Sequence, residues 1–217
     1  MNFVIDHWRE PDDGIWETRG GRRHFVFSKV MCWVALDRAI KAVNALKLPG
    51  NVKRWRQVRA EIKKDVLENG YSERVGAFVQ CYGNNNLDAS VLMLPLVGFI
   101  PATDPRMKAT IRAVQKDLSS PQGYVYRYRE FDDGLSGTEG AFTICTFWLA
   151  DNLILLGELE EARKLYDISV SCANDLGLFS EEIDPQTGAM LGNFPKAFSH
   201  LALINTAYQL QRGGSPR

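Results

Sequence analysis

Helical periodicity of apolar residues runs through most of the chain, and two kinds of segment alternate. In the first kind, apolar side chains occur on nearly every side, as between Phe25 and Val43, which predicts a buried inner helix. In the second kind, one stripe recurs every three or four residues, as at Val58, Ile62 and Val66, which predicts a half-exposed outer helix. The seven predicted helices, inner and outer in turn, span residues about 24–46, 51–68, 87–98, 104–118, 140–156, 159–176 and 195–211.

The connections between these helices also alternate, between short links and long loops. If consecutive helices run antiparallel, the long loops all open on one rim. They carry most of the aromatic and acidic loop residues, and function concentrates in such loops on a rigid scaffold. No strand pattern is convincing, so the sequence predicts an all-α double layer of helices, a toroid with a pocket at its mouth. The rim loops are residues 9–23, 69–87, 119–140 and 177–194.

Composition narrows the classes of function. The 217 residues are enough for one domain with a substantial core, and 26 basic and 26 acidic residues give a formal net charge of +0. This balance offers no bulk electrostatic attraction for nucleic acid or an anionic membrane. The histidines and cysteines form no zinc-binding pattern, and we expect no metal or cofactor and a reduced, cytoplasmic protein with buried free thiols. These residues are His7, His24, His200, Cys32, Cys81, Cys145 and Cys172.

Two rim carboxylates are candidates for acid–base chemistry on a glycosidic bond. Hydrolysis of an acetal needs a proton for the leaving oxygen and a base for the incoming water, so one carboxyl must stay protonated and the other ionised. Trp16 beside Glu17 is expected to supply an apolar wall that raises the pKa of Glu17. Glu181 lies among Ser180, Glu182 and Asp184, a wetter setting that is expected to favour the ionised base.

Other rim residues fit a sugar-binding site. Arg127 offers a rigid fork of donors for hydroxyl groups, and Glu139 and Glu182 are further rim carboxylates that we assign to substrate binding together with Trp16. Flat aromatic faces, which suit the apolar side of a pyranose ring, are available from Tyr82, Tyr124, Tyr126, Tyr128 and Phe131.

Each of these residues also has a purely structural interpretation. Glu17 could be an acid in the first turn of a helix, favoured by the helix dipole. Glu181 and Glu182 could be solvated loop charges, and His200 a satisfied core histidine. The run Asn84-Asn85-Asn86 could be a turn and a helix cap only.

Taken together and in order, several stretches resemble the C-terminal half of the catalytic domain of family 15 glycoside hydrolases, in its bacterial and archaeal branch. This family includes glucoamylases, glucodextranases and trehalases. The stretches are Asp6 to Glu17, Arg127-Tyr128, Gly137 to Phe142, Phe147-Trp148-Leu149, Gly177 to Glu182 and Gly192 to Pro195.

The resemblance implies an (α/α)6 toroid that hydrolyses terminal α-linked glucose with inversion at the anomeric carbon. Glu17 matches the family's general acid, Glu181 its general base, and Arg127 a sugar-binding arginine, while Trp16 lines the pocket. Fungal glucoamylases carry an acidic residue after the general acid, whereas this chain has Thr18. The implied substrates are therefore trehalose or short α-linked gluco-oligosaccharides.

A full toroid of this family has twelve helices, usually preceded by a β-sandwich, and the chain is expected to supply about seven. Met1 to Trp8 has the pattern of the end of a helix, which suggests that natural sequence precedes it. We therefore expect residues 1–217 to be nearly inactive alone and to associate with a chain carrying the missing half or with themselves. The alternatives are a non-catalytic carbohydrate-binding remnant and a helical interaction scaffold of stacked repeats.

Overall fold

In a computed structural model that describes residues 1–129 and 139–213, the chain is mainly helical. Its α-helices are α1 (Asn2–His7), α2 (Val26–Leu46), α3 (Val52–Asn69), α4 (Met93–Leu96), α5 (Pro105–Asp117), α6 (Thr143–Leu155), α7 (Leu159–Val170) and α8 (Ala197–Gln211), with a 3₁₀ helix at Ala89–Leu92. Within the described ranges, every helix is too short or too polar to span a bilayer.

The predicted pairing of inner and outer helices is confirmed at α2 and α3. The α2 residues Val30 and Leu36 are fully buried, and Val58, Ile62 and Val66 of α3 are fully buried one turn apart. Residues four apart share a helix face, so this single stripe holds α3 against α2 while its other sides stay in water. The same relation recurs between α6 and the outer helix α7.

The predicted inner helix at 87–98 is wrong in its form. The segment folds as the 3₁₀ helix Ala89–Leu92 followed by the single turn α4. Pro95 has no N–H to donate to the carbonyl four residues back, and Gly98 has a positive φ of 80°. One regular helix therefore cannot run through the segment, although Val91 and Leu94 are fully buried as predicted.

The structure also contains short strands that the sequence did not indicate. The strands β1 (Tyr71–Ser72) and β2 (Ala77–Phe78) form a hairpin. A three-stranded antiparallel sheet joins β3 (Ala141–Phe142), β4 (Glu182–Ile183) and β5 (Met190–Leu191) in that order. Each strand has two residues, too few to show an alternating pattern.

Backbone hydrogen bonds join the predicted rim loops to the starts of the inner segments. The backbone N–H of Tyr82 donates to the carbonyl of His24 at 3.0 Å, which joins the second loop to the residues just before α2. In the same way, Ala89 donates to Arg127 at 2.8 Å and Thr143 to Glu181 at 3.0 Å. Each of these bonds ties a loop to another loop or to the start of an inner segment.

The apolar surface of α8 is only half covered. Ser199, Ala202, Thr206 and Leu210 lie buried along one side of the helix. The opposite side exposes large apolar residues, whose exposed fractions lie between 45% and 62%: Phe198, Leu201, Ile204 and Tyr208. A contiguous exposed apolar surface of this kind is typical of a face that packs against another segment or chain.

Candidate active site

Arg127 is the centre of a cluster that joins three separate segments. Its Nε donates to the carboxylate of Glu139, and its guanidinium lies 3.6 Å from Oε1 of Glu182. The guanidinium also lies 5.4 Å from the ring of Trp16 and 5.2 Å from that of Phe142. Burial alone would lower the pKa of Arg127, but the hydrogen bond and charge of Glu139 outweigh it and raise the pKa. Four of the predicted site residues therefore meet here.

The position of Arg127 follows from the backbone around it. The N–H of Phe142 donates to the carbonyl of Val125 at 3.0 Å, and that of Val125 to Oγ1 of Thr146 at 3.0 Å. Phe142 also pairs with Glu182 in the β3–β4 register. The loop before Arg127 and the strand that carries Glu182 are thus both held against the start of α6.

Trp16 is held by a buried carboxylate that sequence reasoning missed. Its Nε1 donates to both oxygens of Asp88, at 3.0 and 2.9 Å, and Asp88 also accepts from Nε2 of Gln80 at 3.0 Å and from the N–H of Ser90 at 2.7 Å. Burial raises the pKa of Asp88, and these hydrogen bonds oppose the rise. An acid immediately before a helix start was the available signal, and it indicated a cap rather than a support for Trp16.

Glu17 projects from a tight turn rather than from a helix. Thr18 N donates to the carbonyl of Asp13 at 3.0 Å, and Glu17 itself is exposed with a φ of +51°. The structural interpretation as a first-turn acid is wrong, because α2 begins at Val26. A positive φ is uncommon in non-glycine residues, and such conformations cluster at functional sites. The role of Glu17 as general acid stays a prediction.

Glu181 is held as a carboxylate by two residues that follow it in the chain. Nζ of Lys196 donates to Oε1 at 2.6 Å, and Oε2 accepts from the N–H and Nδ2 of Asn193 at 3.1 and 2.8 Å. Burial alone would raise the pKa of Glu181, but these donors outweigh it and lower the pKa. The lowered pKa agrees with the ionised state that the sequence predicts for Glu181, but the predicted cause, a wetter setting, is wrong. Glu181 is only 17% exposed, and its neighbour Ser180 is buried.

Tyr82 belongs to a different set of contacts. Its hydroxyl donates to Oδ2 of Asp65 at 2.8 Å, and its ring stacks on His24 with 5.9 Å between centroids. Burial and the neighbouring Asp65 raise the pKa of its phenol. Among the described residues, these contacts do not reach Arg127, so a role for Tyr82 in sugar binding stays a prediction.

The other predicted aromatic faces are less open than expected. Tyr128 is buried, and the Arg127 guanidinium lies over its ring at 5.3 Å. The Tyr124 hydroxyl is 3.2 Å from Sγ of Cys172, and Arg129 covers Tyr126 at 4.8 Å. The remaining aromatic, Phe131, lies outside the described residues, as do Gly137 and Thr138.

Comparison with known proteins identifies a family that covers most of the chain. The sequence profile of Glycosyl hydrolases family 15 matches residues 1–208. A trehalase of Mycobacterium tuberculosis is 50% identical over 211 residues, which cover 96% of this chain and 31% of that protein. A trehalase of Thermoplasma volcanium is 46% identical over 205 residues, covering 94% and 33%. The chain thus spans about a third of the length of these curated relatives.

Solved structures show the same fold. A wild-type glycosidase superposes with a TM-score of 0.83 at 22% identity, over 99% of this chain and 58% of that one. A bacterial glucoamylase complexed with acarbose gives a TM-score of 0.83 at 16% identity, over 98% and 37%. The chain therefore belongs to glycoside hydrolase family 15 and has the helical fold of its (α/α)6 toroid.

Proposed function

We propose that this chain carries both catalytic carboxylates of an inverting α-glucosidase, with Glu17 as general acid and Glu181 as general base. Membership of family 15 supports hydrolysis of glycosidic bonds as the reaction class. The site supports the assignment because it presents an exposed carboxyl in a strained turn and a second carboxyl that its partners keep ionised.

One observation carries the proposal. The Arg127 guanidinium lies against the ring of Trp16, next to Glu17 in the chain, and forms an ion pair with Glu182, next to Glu181. Loops from opposite ends of the sequence therefore converge on one cation, and a pair of catalytic carboxylates requires such convergence.

The proposed reaction gives each residue a defined task. The Glu17 carboxyl transfers its proton to the leaving oxygen while Glu181 takes a proton from a water that attacks the anomeric carbon from the opposite face. Arg127, fixed by Glu139 and Glu182, donates hydrogen bonds to sugar hydroxyls, and Trp16 supplies an apolar wall. Tyr82 is proposed as a more distant substrate contact.

Trehalose is the substrate that we propose first. The relatives at 50% and 46% identity are named trehalases, whereas the glucoamylase structure is only 16% identical. Maltose, isomaltose and longer α-linked gluco-oligosaccharides are the comparison substrates. Release of β-glucose from trehalose would identify inversion, because both of its linkages are α.

We further propose that the remaining helices of the toroid cover the exposed side of α8. A groove of about 730 Å³ lies along this helix, lined by apolar residues such as Trp148 and Leu201 and by basic residues such as Arg38 and Arg212. The family fold extends well beyond this chain, which covers 58% of the wild-type glycosidase. Full activity is therefore expected only when an upstream half from a related enzyme is supplied.

The test is hydrolysis of trehalose, maltose and isomaltose by residues 1–217, with and without that upstream half, with proton NMR to follow the anomer released. We expect β-glucose from trehalose upon mixing, and a roughly 10²–10⁴-fold lower kcat in Glu17→Gln and Glu181→Gln. Glu73→Gln, a substitution at an exposed residue of the β1–β2 turn, is the matched control.

Two results would contradict the proposal. A loss in Glu17→Gln or Glu181→Gln no larger than in Glu73→Gln would remove the catalytic assignment. If no substrate is hydrolysed when both halves are folded and bound to each other, a carbohydrate-binding remnant or an interaction scaffold would be favoured.

A further inference from the structure

Lys196 forms a short ion pair with Glu181. It is the residue before α8, and its N–H donates to the carbonyl of Phe179 at 2.9 Å. Its Nζ reaches Oε1 of Glu181 at 2.6 Å and lies 5.0 Å from the ring of Phe198. The Lys196 and Glu181 side chains are 21% and 17% exposed, so water screens this ion pair only partly.

The hydrogen bonds distinguish the two oxygens of the Glu181 carboxylate. An ionised carboxylate oxygen has about two acceptor positions. At Oε2, both are taken by the N–H and Nδ2 of Asn193. At Oε1, Lys196 is the donor among the residues that the structure describes, which leaves one position for a further donor.

We propose that Lys196 and Asn193 are positioning residues that orient Glu181 so that its Oε1 accepts the proton of the attacking water. This inference rests on the proposed function of Glu181 as general base. In the step, one water proton passes to Oε1 and the water oxygen bonds to the anomeric carbon. The bond from that carbon to the leaving oxygen breaks, and the leaving oxygen takes the proton of the general acid.

The backbone beside Oε2 supports this orientation. Gly192 has a φ of +71°, and a Cβ added there would lie 2.9 Å from Oε2 of Glu181. The N–H of Asn193, the next residue, donates to the same oxygen. The glycine thus lets the chain pass close enough to occupy Oε2, which leaves the oxygen on the side of Lys196 for water.

The ion pair also sets the pH range in which the base works. A general base must be ionised, and Lys196 is the cation that contacts Glu181 directly. Among the described residues, the other charged or titratable groups nearby are Glu182, the next residue in the chain, and His200 of α8, whose Nδ1 lies 2.8 Å from the Lys196 carbonyl. Beyond Glu182 are Arg127 and Glu139. Because Lys196 favours the carboxylate, its removal should move the titration of Glu181 to higher pH.

The experiment combines two measurements on Lys196→Met, Lys196→Gln and the control Lys164→Met. Lys164 pairs with Glu161 at 3.3 Å on the exposed side of α7. The first measurement is a ¹³C NMR titration of the Glu carboxyl groups in the 217-residue chain, with the Glu181 signal assigned from Glu181→Gln. The second is the pH profile of kcat for trehalose in the presence of the upstream half.

In both Lys196 variants, we expect the titration midpoint of Glu181 and the acidic limb of the kcat profile to move to higher pH. Lys164→Met should change neither. Lys196→Gln keeps a donor without the charge. Its maximal kcat should therefore stay within about threefold of the original, whereas Lys196→Met should lose about tenfold or more with little change in KM.

The outcomes separate this inference from the proposed function. An unchanged Glu181 midpoint in folded Lys196→Met and Lys196→Gln would overturn the inference. A shifted midpoint without hydrolysis under any condition would refute the proposed function. The assignment of a water to Oε1 would fall with it, and Lys196 would keep only its role in holding Glu181 ionised.

Discussion

Asp88→Ala tests whether the support beneath Trp16 also stabilises the fold. The Asp88 carboxylate is fully buried and accepts hydrogen bonds from Trp16, Gln80 and Ser90. Deletion of the carboxylate leaves three donors facing a space that held their acceptor. Asp88→Asn is the near-isosteric companion, because its amide keeps one acceptor oxygen but turns two hydrogens toward donors.

The expected loss follows from the number of donors. A buried donor without an acceptor costs roughly 1–3 kcal/mol. Relief from burying the Asp88 charge offsets part of this cost, since burial raises its pKa. With this offset, we expect Asp88→Ala to lower the free energy of unfolding by about 3–5 kcal/mol, because three donors lose their acceptor. Asp88→Asn, which retains one acceptor, should lose about 1–2 kcal/mol.

Urea unfolding of the 217-residue chain, followed by tryptophan fluorescence and circular dichroism, measures these differences from the transition midpoint at constant m-value. Asp104→Ala is the matched control, since it deletes the same atoms from a partly exposed helix cap that accepts from Arg106 N at 3.0 Å. Loss of this cap should cost about 1 kcal/mol.

The pH dependence has a definite sign. The folded-state pKa of Asp88 is raised, so the folded chain binds this proton more tightly than the unfolded chain. Wild-type stability therefore gains from Asp88 as pH falls through the raised pKa, and the deficit of Asp88→Ala should widen. A deficit no greater than that of Asp104→Ala, or one that narrows on acidification, would refute the reasoning.

Two further substitutions test the site itself. Gly192→Ala places Cβ 2.9 Å from Oε2 of Glu181, whereas Gly188→Ala at nearly the same φ of +73° meets nothing within 4 Å. Both variants should lose about 1 kcal/mol of stability in urea unfolding, because alanine is strained at a positive φ. Only Gly192→Ala should lose about tenfold or more in kcat, and equal kcat values would show that the added Cβ does not disturb Glu181. Arg127→Lys keeps the positive charge but loses the planar set of guanidinium donors, so KM for trehalose should rise about tenfold or more. Arg129→Lys, at an exposed residue of the same loop, is the control and should leave KM unchanged.

Apolar periodicity predicted the helices wherever each one packs by a continuous stripe or is buried all round. The stripe of Val58, Ile62 and Val66 is such a case, because i and i+4 positions share a face whatever the rest of the chain does. The method failed at residues 87–98, where a buried run also satisfies a 3₁₀ helix and one turn of α-helix. Burial explains why these residues are apolar, and Pro95 explains why they do not form one regular α-helix.

For the candidate site, the sequence by itself determined the residue types on the rim, the order of the motifs and, through them, the family. Those features are local or follow from chain order. Only the tertiary structure decided that Asp88 holds Trp16, that Arg127 contacts both Trp16 and Glu182, and that Lys196 lies against Glu181. The charge state of Glu181 depends on donors 12 and 15 residues away, brought within 3.1 Å by the β4–β5 hairpin and the start of α8. Such contacts depend on distances in space, which hydrophobic periodicity does not encode.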